Sequence, residues 1–199
     1  MSDPVPMPAR RVRCAACGLP ARTCVCALVT RVRNGVEVLV LQHPDEVREA
    51  KNSARLMRLS LGRCRVAVGE AFAPEALLAL LDGDVSGAAL LYPADTSMPF
   101  SAGSPGAPTR LVVLDGTWRK TLRMLHANPL LQSLPRWPIA SANPSRYAAL
   151  RKARRASQLS TLEATCAALA DIEAAPARYA PLLDAFDRFV AAASAHRPK

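Results

Sequence analysis

No stretch of this 199-residue chain approaches the roughly 20 consecutive apolar residues that a membrane-spanning helix requires, although half of its residues are hydrophobic. The opening Met-Ser-Asp-Pro-Val-Pro-Met-Pro has no apolar signal core before Arg10, Arg11 and Arg13. On these grounds we expect a cytosolic protein. Histidine is scarce, at three residues. His43 and His126 stand beside a proline or at a helix end with no second imidazole in sequence range, so structural roles are expected for both. There is no internal repeat, which removes solenoids and propellers from consideration.

Acidic residues are also few, 16 against 26 Lys and Arg, giving a formal charge of +10. Such an excess goes beyond what solubility needs, and a polyanion gains from it through counterion release. An Arg-rich surface set only by genomic base composition is the alternative; the clustering of the basic residues favours nucleic acid. At 21.3 kDa the chain fits one domain with a small appendage. Its six cysteines, in a reducing compartment, point to thiols and metal thiolates instead of disulfides. Cys14-Ala-Ala-Cys17 and Cys24-Val-Cys26 supply four thiolates, and Gly18 and Pro20 permit the reversal that brings both pairs onto one ion. A closed structural zinc site is the reading; unligated thiols are the alternative, and nothing nearby suggests an electron-transfer cluster. Cys64 and Cys166 are isolated in apolar context and are assigned to packing.

Residues 1–13 are expected to be a flexible basic tail, 14–27 the cysteine knuckle, and 28–195 one α/β domain. Apolar runs at 36–42, 65–68, 88–93 and 110–115 have the length and composition of buried parallel strands. Helices are expected over 51–61, with Ala54, Met57 and Leu61 inward; over 74–81, with Leu77, Leu78 and Leu81 inward; over 118–126; over 161–172; and from 176, with Tyr179, Leu182, Leu183, Phe186, Phe189 and Val190 in the core. The Pro-, Gly- and Ser-rich stretch 94–109 reads as a functional flap or disorder.

Three pieces carry candidate chemistry. Leu114-Asp-Gly-Thr-Trp118 puts a carboxylate, a hydroxyl and an indole where open α/β sheets hold ligands, past the carboxyl end of a strand. Gly116 relaxes the turn. The plain alternative is that Thr117 caps the following helix, Asp115 offsets its dipole and Trp118 packs in the core; for Trp118, packing is the expectation. Ser160-Thr-Leu-Glu163 has the form of a capping box, which still leaves helix-start N–H groups for a carboxylate or phosphate. Two basic segments flank these elements: Arg48, Lys51, Arg55, Arg58, Arg63 and Arg65, and Arg146, Arg151, Lys152, Arg154 and Arg155 with Tyr147 among them. Guanidinium groups beside an aromatic suit folded RNA, whereas taken singly each run reads as a solvated face.

Taken in order, Cys-x2-Cys…Cys-x-Cys, Gln42-His-Pro-x-Glu46…Lys51-Asn-Ser, Leu91-Tyr-Pro93, Leu114-Asp-Gly-Thr-Trp118, Tyr147-x3-Arg151 and Leu159-Ser-Thr-Leu-Glu-Ala164 resemble the DTW-domain family over about Cys14 to Phe189. The chain departs from the family pattern at Asn52-Ser53-Ala54, where many relatives carry Asn-Thr-Gly, and at Pro135-Arg136-Trp137-Pro138, which stands for an apolar stretch.

The resemblance implies a SPOUT-like α/β fold, a mostly parallel sheet with flanking helices and a C-terminal trefoil knot, plus the small zinc knuckle. It implies a tRNA-uridine aminocarboxypropyltransferase that uses S-adenosylmethionine as co-substrate. On that reading Asp115, Thr117 and Trp118 are catalytic. Leu91, Tyr92, Pro93, Leu114, Gly116, Ser160, Thr161 and Glu163 bind the donor. Lys51, Arg55, Arg58, Arg146, Tyr147, Arg151, Lys152, Arg154 and Arg155 bind tRNA, and Cys14, Cys17, Cys24 and Cys26 bind zinc. Asp115 is a general base for uracil N3, a stabiliser of the sulfonium or a ligand of the α-ammonium. DNA is not expected as a partner, and pairing of SPOUT relatives is an analogy that leaves the oligomeric state open. A SPOUT-like RNA methyltransferase, a ribosomal-RNA aminocarboxypropyltransferase and a non-catalytic zinc-knuckle RNA-binding protein are the rival readings.

Overall fold

A computed structural model describes residues 13–49, 52–93, 106–138 and 159–195. Five parallel strands form one sheet: β1 (Glu37–Gln42), β2 (Cys64–Val68), β3 (Ala88–Leu91), β4 (Arg110–Asp115) and β5 (Arg136–Trp137), in the order β2-β1-β4-β3-β5. Val38 to Leu41 and Leu111 to Leu114 are all buried, which is why neither central strand alternates polar with apolar: both faces are covered.

Side-chain alternation divides the core in two. Val38, Val40, Leu111, Val113 and Leu91 face α1 (Ala54–Ser60), α5 (Thr161–Ile172) and α6 (Pro176–Ala195). Leu39, Leu41, Val112, Leu114 and Leu90 face α2 (Pro74–Leu80), α3 (Trp118–Ala127) and α4 (Pro129–Ser133). The cysteine knuckle joins the first of these clusters, with Cys17 and Val25 buried against it. Among the described residues no helix is long and apolar enough to cross a membrane.

The mostly parallel α/β sheet with flanking helices is as expected, and four of the strands and five of the helices fall where the hydrophobic patterns place them. Three local expectations are corrected. Helix α1 begins at Ala54 and not at 51, because Asn52 Oδ1 accepts the Ala54 N–H at 2.9 Å while its amide donates to Glu46 O at 2.7 Å, fixing the chain outside the helix. Leu78 is 38% exposed, since only Leu77 and Leu81 lie on the inward line of α2. The Pro-punctuated stretch contains α4 and β5: Pro129 takes the first helical position, where no N–H is needed, and the Pro135 and Trp137 carbonyls accept from Leu90 and Tyr92 N–H. The described residues do not test the expected trefoil knot; residues 139–158 lie outside them, as do 94–105 of the expected flap.

Two polar networks anchor the frame. At the amino ends of the strands, Glu37 binds Arg65 at 2.6 Å and Arg110 at 2.9 Å, and both guanidiniums also reach Asp82. Near α6, Glu173 accepts from the N–H of Gly35 and Val36, from Tyr179 Oη and from Arg178, stapling the entry of β1 to the α5–α6 turn. Burial opposes ionisation of Glu173, but these donors hold its carboxyl below the usual glutamate range.

Candidate active site at the carboxyl edge of the sheet

Connections leave β1 and β4 in opposite directions, so the crevice past their carboxyl ends is the topological switch point of the sheet. The residues there are Gln42 and Asp115, paired in register. Asp115 is buried at 8% exposure and held on both oxygens: Gln42 Nε2 donates to Oδ2 at 2.7 Å and Thr161 Oγ1 donates to Oδ1 at 2.7 Å. Thr161 is delivered by the capping box, in which Ser160 Oγ accepts from Glu163 N at 3.2 Å and Glu163 Oε2 accepts from Ser160 N at 2.8 Å. This box fixes the start of α5, and the first helical residue then meets the end of β4.

The two hydroxyls expected to face a donor are thus engaged within the protein, Ser160 with Glu163 and Thr161 with Asp115. The Thr161 and Leu162 N–H groups are the helix-start donors beyond those two pairs.

Parity of the strands separates the other predicted residues. Leu91, Asp115, Ser160, Thr161 and Glu163 belong to the α1–α5–α6 side, whereas Leu114 and Tyr92 belong to the α2–α3–α4 side. Trp118 is 48% exposed, which overturns the packing expectation; its ring meets Tyr92 edge-on at 6.0 Å between centroids and 76° between planes. Thr117 stands at the N-cap of α3 with no side-chain cap bond, so its hydroxyl is not tied up by the helix. Gly116 is closely approached: a Cβ there would lie 3.2 Å from Lys120 Cβ, so α3 would have to give by a few tenths of an ångström to admit one. Pro93 is exposed at the end of β3.

Several residues that residue chemistry alone gave no role complete the site. Besides Gln42, His43 is buried, its Nδ1 accepting from Asp45 N at 3.2 Å and its Nε2 2.7 Å from Glu70 Oε2; Arg123 reaches the same carboxylate at 3.3 Å. Glu46 holds Lys120 at 2.8 Å, tying the loop after β1 to α3. The guanidinium of Arg136 lies 5.5 Å from the Tyr92 ring centroid. The signal for Gln42 was present: it is the polar residue ending an apolar strand, the position that Asp115 holds in β4.

Beside Gln42 opens a cavity of about 370 Å³ between the knuckle and α1. Arg55 and Arg58 line it together with Gln42, so this pair of the expected RNA contacts shares a cavity with the partner of Asp115. Arg63 and Arg65 do not: Arg63 binds Gly35 O and Arg65 joins the Glu37 network at the opposite end of the sheet. Lys51, Arg146, Tyr147, Arg151, Lys152, Arg154 and Arg155 lie outside the described residues.

The sulfurs of Cys14, Cys17, Cys24 and Cys26 all lie within 4.8 Å of one another, with Cys14–Cys26 and Cys17–Cys24 at 3.6 Å. A tetrahedron with zinc–sulfur bonds of about 2.3 Å has edges of about 3.8 Å, so the donor set fits zinc in number, type and spacing. Backbone N–H groups of Cys17 and Ala16 hold the Cys14 thiol low, at about 6, while the bond to Cys14 pushes Cys26 up to about 12, so the four sulfurs ionise as one cluster. Burial pushes Cys64 and Cys166 up to about 12, as suits inert packing thiols.

The chain is 31% identical to tRNA-uridine aminocarboxypropyltransferase 2 of Drosophila melanogaster, over 85% of this chain and 70% of that protein. It is 29% identical to the protein of the same name from Mus musculus and 26% identical to that from Macaca fascicularis, in both cases over 85% of this chain and 59% of the relative. The chain therefore spans well under two thirds of the mammalian proteins. No solved structure matches it. A DTW domain is matched over residues 11–194, a span that includes the cysteine knuckle, the Gln42–Asp115 pair and the capping box, and the chain belongs to the DTW-domain family.

Proposed function

We propose that this protein is a tRNA-uridine aminocarboxypropyltransferase that transfers the 3-amino-3-carboxypropyl group of S-adenosylmethionine to N3 of a tRNA uridine, with release of methylthioadenosine. The observation that carries the proposal is the carboxylate of Asp115, clamped by Gln42 and Thr161 at the switch point of the sheet in a chain whose relatives bear that name.

The bound donor supplies a sulfonium whose methionine arm presents an electrophilic γ-carbon. Orientation, more than reactivity, separates attack there from attack on the methyl. In this reading the Thr161 and Leu162 N–H groups at the start of α5 hold the donor's carboxylate, and the pocket straddles the carboxyl edge of the sheet, lined by Leu91 from the α5 face, by Tyr92 and Leu114 from the other, and by Pro93 and Gly116 past the strand ends. Asp115 takes the N3 proton as the carbon–nitrogen bond forms, a general-base contribution of about 10²–10⁴-fold. The hydrogen bonds from Gln42 and Thr161, one on each oxygen, fix the plane of the carboxylate. Trp118, half exposed beside this edge, offers a face for a nucleobase. Arg55 and Arg58, with Lys51, Arg146, Tyr147, Arg151, Lys152, Arg154 and Arg155, bind the tRNA backbone. Cys14, Cys17, Cys24 and Cys26 hold zinc in a purely structural role, and the protein works in the cytoplasm.

S-adenosylmethionine labelled separately in its carboxyl and methyl carbons, incubated with the protein and total tRNA, tests the reading. Carboxyl label entering RNA, with methylthioadenosine released, is the expected result. Methyl label entering RNA identifies a methyltransferase instead. Label in neither position, with RNA retained and no rise in melting temperature on adding the donor, identifies a binding protein.

A further inference from the structure

The cavity beside Gln42 has no part in the donor site described above. Its floor is Val66 and Val68 of β2, its walls the knuckle turn at Ala16–Gly18 and the start of α1, and Arg55 and Arg58 stand over it. Three features make it a built site. Neither arginine has a carboxylate partner among the described residues; Arg58 donates only to the Ala16 carbonyl, at 3.3 Å. Val68 is 52% exposed and offers an apolar surface beside the two arginines. Gln42 is 5% exposed, and its amide orientation is set by Asp115: the Nε2 must face that carboxylate, since the amide oxygen would be repelled there. Gln42 lines the cavity, and among the described residues no donor reaches its Oε1.

We infer that this cavity is the acceptor-nucleotide pocket, and that Gln42 selects uracil over cytosine. The inference rests on the transferase reading of Asp115 and extends it to the substrate. Arg55 and Arg58 supply the positive charge a nucleotide's phosphate requires, and the exposed face of Val68 suits a base plane. A fixed acceptor at the inner end favours a base that presents an imide N–H, as uracil does at N3. Cytosine carries a lone pair at N3 and meets the Gln42 oxygen with repulsion. The same amide binds Asp115, so the N3–H that Gln42 reads before reaction is set beside the carboxylate that takes the proton as the nitrogen–carbon bond forms and the carbon–sulfur bond breaks. The volume of about 370 Å³ lies at the small end of ligand pockets and suits one nucleotide. The knuckle then acts as a wall of the substrate pocket. Gln42 is a positioning and specificity residue here, and Asp115 remains the catalytic one.

Fluorescein-labelled hexauridylate and hexacytidylate, titrated by anisotropy into the full chain at fixed salt, test this. The wild type is expected to bind the uridine oligomer about tenfold more tightly. Q42M is expected to reduce that ratio to about one, whereas R55A/R58A weakens both oligomers by about tenfold or more and keeps the ratio. V68W fills the pocket from its rim without touching Asp115, and is expected to abolish the uridine preference while the thermal shift with S-adenosylmethionine stays as in the wild type. That variant serves if Q42M fails to fold. Equal affinity for the two oligomers in the wild type overturns the inference, as does a preference that survives in Q42M or V68W. Methyl label in RNA with the uridine preference intact would instead overturn the transferase reading and leave the pocket standing.

Discussion

Replacing Thr161 with valine removes one hydroxyl, keeps the β-branched shape at the first helical position and leaves the capping box of Ser160 and Glu163 untouched. The hydrogen bond it deletes is 2.7 Å long and ends on a carboxylate oxygen. Bonds to charged groups contribute about 1.5–3 kcal/mol in net terms. Thr161 is only partly buried, so water can replace the lost donor, and the cost falls at the low end, about 1–1.5 kcal/mol. At about 2–4 °C per kcal/mol for a chain of this size, the melting temperature should drop by about 2–6 °C. The catalytic consequence is larger than the thermal one. Asp115 would lose the donor that fixes its Oδ1, and misplacement by about 1 Å can cost as much as ~10²-fold. Because the carboxylate is still present, we expect a fall in kcat of about tenfold, with KM for tRNA within about twofold of wild type. Thr161→Ser should restore kcat to within about twofold. Single-turnover transfer of carboxyl-labelled donor, beside differential scanning fluorimetry, gives both numbers. A T161V protein with wild-type turnover and an intact fold would refute the claim that α5 orients Asp115.

Other expectations follow from the same geometry. Glu173→Ala leaves the Gly35 and Val36 N–H groups and the Tyr179 hydroxyl without their acceptor and should cost about 2–4 kcal/mol in urea unfolding. Because the Glu173 carboxyl is held below its ordinary value of 4.5, its contribution is complete above that pH and lost as pH falls through the lowered value. The gap between wild type and variant should therefore shrink on acidification below pH 4.5; a constant gap down to pH 2 would contradict the assignment. Elemental analysis should find one zinc per chain, and chelation should lower the melting temperature, since Cys17 and Val25 of the knuckle belong to the core under α6. Trp118→Ala should change stability by no more than about 1 kcal/mol, its ring being half exposed, while weakening RNA binding severalfold in the anisotropy assay.

The frame of this protein could be read from its sequence because its signals are local. Unbroken apolar runs such as Leu111 to Leu114 mark strands covered on both faces, and the Tyr179–Val190 pattern marks one face of a helix. The cysteine spacing likewise announced a site whose sulfurs the fold brings within 4.8 Å. What was not legible depends on contacts distant in sequence. The Gln42–Asp115 bond links residues 73 positions apart, and nothing at Gln42 alone separates a structural amide from a reader of substrate. Trp118 was misjudged because an indole after a strand is usually core; here the turn at Gly116 carries it past the sheet edge. Strand β5 escaped notice because two residues between prolines carry no periodicity, and their pairing rests on carbonyls that proline leaves free to accept. Arg65 looked like part of a basic arm until Glu37 and Asp82 were seen to neutralise it.

The central claim is that the carboxylate clamped at the end of β4 performs the proton transfer. Asp115→Asn keeps the size and one acceptor of the side chain but removes the base. Under saturating S-adenosylmethionine and tRNA, the single-turnover rate of aminocarboxypropyl transfer by this variant should fall by about 10² or more, with donor-induced thermal stabilisation retained. A folded variant transferring the group at the wild-type rate would contradict the account.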